Sequence, residues 1–149
     1  MNAERKRVLF VDDERYFSKR YRAALRERFE VVYCETYGEA RDELMAAHKC
    51  EMMFDALVLD VMMPPPEMAD PAITAEGFET GLWLLVGVKE WLNCVPPTVL
   101  LTNRKLDHVR EGLKRRGFDA DDARLMLCSK TDTKDSDLPQ LVEELIARQ

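Results

Sequence analysis

Short, unbroken apolar runs alternate along this chain with stretches whose apolar residues recur every three or four positions. The unbroken runs are Val8-Leu9-Phe10-Val11, Val31 to Cys34, Ala56-Leu57-Val58-Leu59, Thr98 to Leu101 and Leu125 to Cys128. Apolar runs that do not alternate predict strands buried on both faces, as in a parallel sheet. Between them, Phe17, Tyr21, Ala24 and Leu25 have helical spacing and predict a helix through about Arg28. Ala40, Leu44 and Ala47 mark a second helix, Leu82 to Leu92 a third, and Leu106 to about Arg116 a basic fourth. The last helix is predicted from near Asp137, an N-cap with Gln140 three residues later, and carries Leu138, Leu141, Leu145 and Ile146. Pro96-Pro97 breaks the chain before the fourth strand.

Five strands, each followed by a helix, satisfy an α/β doubly wound parallel sheet with right-handed crossovers. In such sheets ligands bind beyond the carboxyl ends of the strands, at the switch in strand order. The first strand ends in Asp12-Asp13, the third in Asp60 and the fourth in Thr102, while the fifth runs into Ser129-Lys130. All four ends therefore carry groups suited to phosphoryl chemistry.

A length of 149 residues predicts one domain over 1–149, and 46% apolar residues argue against disorder over most of it. A net charge of −6 excludes a general nucleic-acid surface, which needs a basic excess. The short basic runs Arg5-Lys6-Arg7 and Lys114-Arg115-Arg116 read as solvated ends of elements. Cys34, Cys50, Cys94 and Cys128 have neither zinc-site nor disulfide-framework spacing. With no apolar segment long enough for a signal peptide or a membrane span, a reducing cytoplasmic location without membrane contact is the expectation.

An aspartate can act as a nucleophile and form an acyl phosphate, and Asp60 at the end of a buried strand is placed for it. Asp12 and Asp13 would repel an incoming phosphate unless a cation lay between them, and Mg²⁺ is the natural one. Lys130 would add positive charge, and the Thr102 hydroxyl a hydrogen bond to the phosphoryl group. Singly, each has a structural reading: helix cap for Asp13, turn residue for Asp60, strand end for Thr102, surface lysine for Lys130. Their joint occurrence at the strand ends of one sheet carries the inference.

The segments VLFVDDE (Val8 to Glu14), ALVLDVMMP (Ala56 to Pro64), TVLLT (Thr98 to Thr102) and LCSK (Leu127 to Lys130) resemble the receiver domains of two-component response regulators. The resemblance covers nearly the whole chain in order. It implies a flavodoxin-like (βα)5 fold with strand order 2-1-3-4-5, in a stand-alone receiver rather than an enzyme. It also implies that Asp60 is the phosphoacceptor, served by a histidine kinase or phosphotransfer protein. Mg²⁺ would be bound by Asp13, Asp60 and the backbone carbonyl of Met62, with Asp12 helping through water. Thr102 would be the switch hydroxyl and Lys130 the lysine that contacts the phosphoryl group. Output is expected through contact with an unknown downstream protein, as a monomer or weak homodimer.

Several positions depart from that pattern. Residues at about 62–80 form a proline-rich insertion, expected to be a stiff lid or partner-contact flap beside Asp60, or else an inert excursion. The third helix is apolar around much of its circumference, and the insertion folding back over it is the simplest cover. Thr131 follows Lys130 where the family has a cis proline; a cis bond before Thr costs about 3 kcal/mol, so a different loop path is expected. Leu127 replaces the usual aromatic of the switch, and Asn103, where the family prefers a small residue, is expected to restrict access to the phosphoryl group. The alternative reading is a receiver-like adaptor that works without phosphorylation. A phosphatase using an aspartyl phosphate would need an acid at Met62 and is disfavoured.

Overall fold

The unbroken apolar runs become the strands of a five-stranded parallel sheet in the order β2-β1-β3-β4-β5. The computed structural model describes residues 4–149, arranged as β1 (Arg7–Val11), α1 (Arg15–Arg26), β2 (Glu30–Cys34), α2 (Tyr37–Lys49), β3 (Ala56–Leu59), α3 (Thr80–Leu92), β4 (Thr98–Thr102), α4 (Leu106–Arg115), β5 (Leu125–Ser129) and α5 (Leu138–Ala147). Each strand alternates its side chains between two cores. Leu9, Val11, Leu57, Leu59 and Leu100 face α2, α3 and α4. Val8, Phe10, Val58, Val99 and Leu101 face α1 and α5. Burial on both faces explains why the strands show no polar alternation in the sequence. A buried leucine contributes about 2 kcal/mol, so this double core dominates the stability.

The register places the site. Val11 pairs with Leu59, so the next residues, Asp12 and Asp60, emerge side by side at the carboxyl edge. Thr102 pairs with Ser129, which puts Lys130 one step beyond the same edge.

Three local expectations are corrected. The buried face of α1 is formed by Ser18, Arg22 and Leu25, whereas Phe17 is 73% exposed. Arg22 can occupy that face because Ser18 and the Arg15 carbonyl accept its hydrogen bonds and its guanidinium lies 3.9 Å from the Tyr33 ring centroid. Asp137 precedes α5 as expected but makes no capping hydrogen bond through its side chain, because a short 3₁₀ turn (Asp135–Asp137) leads into the helix. Finally, Arg115 and Arg116 are not a bland solvated end, since both pair with the buried carboxylate of Glu79.

The insertion folds back on itself. Met63 N–H donates to the Gly77 carbonyl at 3.1 Å, and the Thr80 hydroxyl donates to the Met63 carbonyl at 2.6 Å. A 3₁₀ turn at Pro71–Thr74 buries Thr74 and packs against α3. It covers only part of the apolar surplus of α3. Trp91 stacks edge-on to Tyr37 of α2, and Leu82 packs against Gly112 of α4.

Candidate functional site

At the carboxyl edge, Asp12, Asp13 and Asp60 each offer a carboxylate oxygen, and these oxygens all lie within 4.8 Å of one another. Asp12 and Asp60 are buried, at 1% and 5% exposure, while Asp13 is half-buried. Lys130 comes from the turn after β5 and donates to Asp12 at 2.7 Å and to Asp60 at 2.9 Å. The acids that repel one another are thus bridged by one ammonium. Among the described residues, no other side chain is hydrogen-bonded or ion-paired to the Asp13 carboxylate.

The other oxygens are also held. Asp12 Oδ1 accepts from the Glu14 N–H at 2.8 Å, which turns the chain from β1 into α1. Asp60 Oδ1 accepts from the Met62 N–H at 3.1 Å. Thr102 is fully buried, and its hydroxyl oxygen accepts from the Arg104 N–H at 3.1 Å, which leaves the hydroxyl proton to be donated elsewhere.

Burial pushes the Asp60 carboxyl up to about 6, against the attraction of Lys130 and with help from the charge on Asp12. Burial and the neighbouring Asp12 also raise Asp13. Burial works against the Lys130 ammonium, yet Asp60 and Asp12 outweigh it and keep the amine protonated well above its usual range. The site is therefore a dense acidic cluster only partly neutralised by its lysine. Three hard oxygen donors around a deficit of positive charge suit a divalent cation such as Mg²⁺.

An open cavity of about 290 Å³ lies over these acids, lined by Asp13, Glu14, Asp60, Met62 and Asn103 together with Met63, Pro64, Glu76, Gly77 and Phe78 of the insertion. The insertion therefore forms one wall of the site, as the sequence allowed, and Asn103 stands at its edge. The residues named from the sequence (Asp12, Asp13, Asp60, Met62, Thr102 and Lys130) come together at this edge. All peptide bonds of the described residues are trans, including that before Thr131.

Two residues were missed. Glu79, with a side chain only 2% exposed, is gripped by Arg104, Arg115 and Arg116. Burial works against its charge, but the hydrogen bond and charge of Arg116 and the charge of Arg115 hold its carboxyl below the usual range. Arg116 also donates to the Ile73 carbonyl at 2.8 Å, so the network ties the insertion to α4. A lone acid before Thr80-Gly81 gives no signal; the run Lys114-Arg115-Arg116 was the one available hint. Tyr21 of α1 is the second, its hydroxyl lying against the turn that carries Lys130.

Neither a protein-family model nor a curated protein matches the sequence. Solved structures do match in shape. A CheY-like response regulator receiver domain protein from Methanospirillum hungatei is 19% identical with a TM-score of 0.68, covering 97% of this chain and 95% of its own. The chemotaxis response regulator CheY4 of Vibrio cholerae is 19% identical with a TM-score of 0.65, over 95% and 98%. The signal receiver domain of the response regulator NarL from Mycobacterium tuberculosis is 17% identical with a TM-score of 0.66, over 99% and 100%. Together with the strand order and the acidic edge, these likenesses give the chain the flavodoxin-like fold of CheY-like response regulator receiver domains.

Proposed function

We propose that this protein is a two-component receiver that accepts a phosphoryl group on Asp60 from a phosphohistidine of a kinase or phosphotransfer protein. The observation that carries the reading is the convergence of Asp12, Asp13 and Asp60 with Lys130 bridging two of them. A carboxyl held at about 6 is mostly ionised at neutral pH and available as a nucleophile. An Asp60 oxygen would attack phosphorus as the phosphorus–nitrogen bond to the donor imidazole breaks, the imidazole leaving with the bonding pair. Lys130 would meet the charge of the phosphoryl oxygens, and Thr102 would donate its hydroxyl proton to one of them. Asp12, Asp13 and Asp60, with the Met62 carbonyl, would hold Mg²⁺, which when bound neutralises charge on the transferring group.

Incubation with acetyl phosphate and Mg²⁺, followed by intact mass measurement, tests this. A phosphoryl adduct that disappears in Asp60→Asn and in excess EDTA is expected. Without an adduct from acetyl phosphate or from a phosphohistidine donor, the reading fails in favour of a phosphorylation-independent adaptor.

A further inference from the structure

We propose that Tyr21 is a positioning residue for Lys130: its hydroxyl fixes the turn from which the ammonium reaches the acids. This rests on the receiver reading for its consequence, but the placement itself can be tested separately. Lys130 N–H makes the last ladder bond, to the Thr102 carbonyl at 2.9 Å. Beyond it the chain turns through Thr131 and Asp132, both exposed, and closes on itself with Thr133 N–H donating to the Ser129 carbonyl at 2.9 Å. Among the described residues, the hydrogen bonds that join this turn to a helix come from Tyr21. Its oxygen lies 2.6 Å from the Thr133 carbonyl and 3.2 Å from the Lys130 carbonyl. The single hydroxyl proton is directed chiefly at Thr133 and shared with Lys130, so one group brackets both ends of the turn.

The reach of the lysine makes such bracketing consequential. Its flexible side chain must stay ordered to satisfy carboxylates at 2.7 and 2.9 Å at once, against the rotamer freedom it gives up. A turn free to shift by a fraction of an ångström would lose one of the two partners, because hydrogen bonds weaken quickly outside their narrow distance range. The Tyr21 ring packs against the core on the α1 and α5 side of the sheet, which anchors the hydroxyl. Tyr21 touches neither Asp60 nor the cavity above it; it acts through Lys130.

Tyr21→Phe keeps the ring and removes the hydroxyl. Two quantities are measured on the full chain: exchange of the Lys130 ammonium protons with water by ¹⁵N NMR, and the rate of Asp60 labelling by acetyl phosphate with Mg²⁺. Tyr21→Phe is expected to speed ammonium exchange and slow labelling, each by roughly fivefold, the range one hydrogen bond supplies. The acetyl phosphate concentration giving half the maximal rate is expected to stay the same. Leu25→Ala, a core truncation on the same helix, is expected to lower thermal stability and leave ammonium exchange unchanged. Unaltered exchange in folded Tyr21→Phe overturns the proposal, as does an equal effect from Leu25→Ala. If Tyr21→Phe does not fold, the wild-type protein still decides. A Tyr21 hydroxyl proton that exchanges as fast as that of a solvent-exposed tyrosine overturns the proposal, and a protected one with contacts to Thr133 supports it. If the wild-type protein takes no phosphoryl group, the receiver reading fails while the ammonium comparison still judges Tyr21.

Discussion

Lys130 Nζ lies 2.9 Å from Asp60 Oδ2, a pairing that spans 70 positions of sequence and closes the site between β3 and β5. The pair is not neutral in effect. Desolvation of Asp60 exceeds the attraction of the lysine, so the carboxyl is raised while the amine is held protonated. At Asp60 burial wins over the ion pair, whereas at Lys130 the two carboxylates together outweigh burial.

Asp60 should make the protein less stable as pH rises. Its folded pKa, about 6, exceeds the usual 3.8, so between those values the folded state holds more proton than the unfolded one. Stability contributed by protonated Asp60 is present below pH 3.8 and lost as pH climbs through about 6. In metal-free urea titrations, the difference in stability between wild type and Asp60→Asn should move in the mutant's favour across that window. A difference independent of pH would contradict the burial argument.

Asp13 should decide the response to Mg²⁺. Its carboxylate is unengaged by other side chains among the described residues and is raised by burial and by Asp12. At a hundred times its dissociation constant, a ligand bound only by the folded state adds about 2.7 kcal/mol. Wild-type protein should melt several degrees higher with saturating Mg²⁺, and Asp13→Asn should show little of that shift in calorimetry.

Glu79 should be a strong stability determinant. Replacing one partner of a buried, hydrogen-bonded ion network leaves uncompensated charge and costs about 3 kcal/mol or more. Glu79→Gln is expected to lose stability on that scale by urea denaturation, with Arg104 and Arg116 left short of an anion. Its folded pKa is lowered, so its contribution is full above the usual 4.5 and fades as pH falls through the folded value. Wild type should lose its advantage over Glu79→Gln in acid.

Gly81 should not tolerate a side chain. It lies in the first turn of α3, where a Cβ would press on the Asp60 carbonyl and come within 2.8 Å of Val61 Cα, both backbone atoms rather than yielding side-chain ends. Alanine in a helix normally stabilises relative to glycine by about 1 kcal/mol. Here Gly81→Ala is expected to destabilise and to slow labelling of Asp60, as seen by thermal melts and intact mass time courses.

The strand ends were legible because they depend on local pattern. Val8 to Val11 and Ala56 to Leu59 announce buried strands, and parallel register then forces Asp12 beside Asp60. The face of α1 was misread by one position, since a buried Arg22 looks polar in sequence. Only the fold supplies the Tyr33 ring and the carbonyl that make its burial tolerable. Glu79 was illegible for a related reason: its arginines lie 25 to 37 positions away and meet it only after α3 and α4 pack. The insertion was visible as proline-rich, but its closure through Met63, Gly77 and Thr80 is a tertiary event.

The central claim is that Asp60 is the phosphoacceptor, and chemical mapping of the modified residue tests it most directly. Protein treated with acetyl phosphate and Mg²⁺ is reduced with borohydride, which converts an acyl phosphate on aspartate to homoserine, and the peptides are sequenced by tandem mass spectrometry. The account predicts homoserine at position 60, absent without Mg²⁺. Homoserine at Asp12 or Asp13 with Asp60 unchanged, or none anywhere, would contradict it.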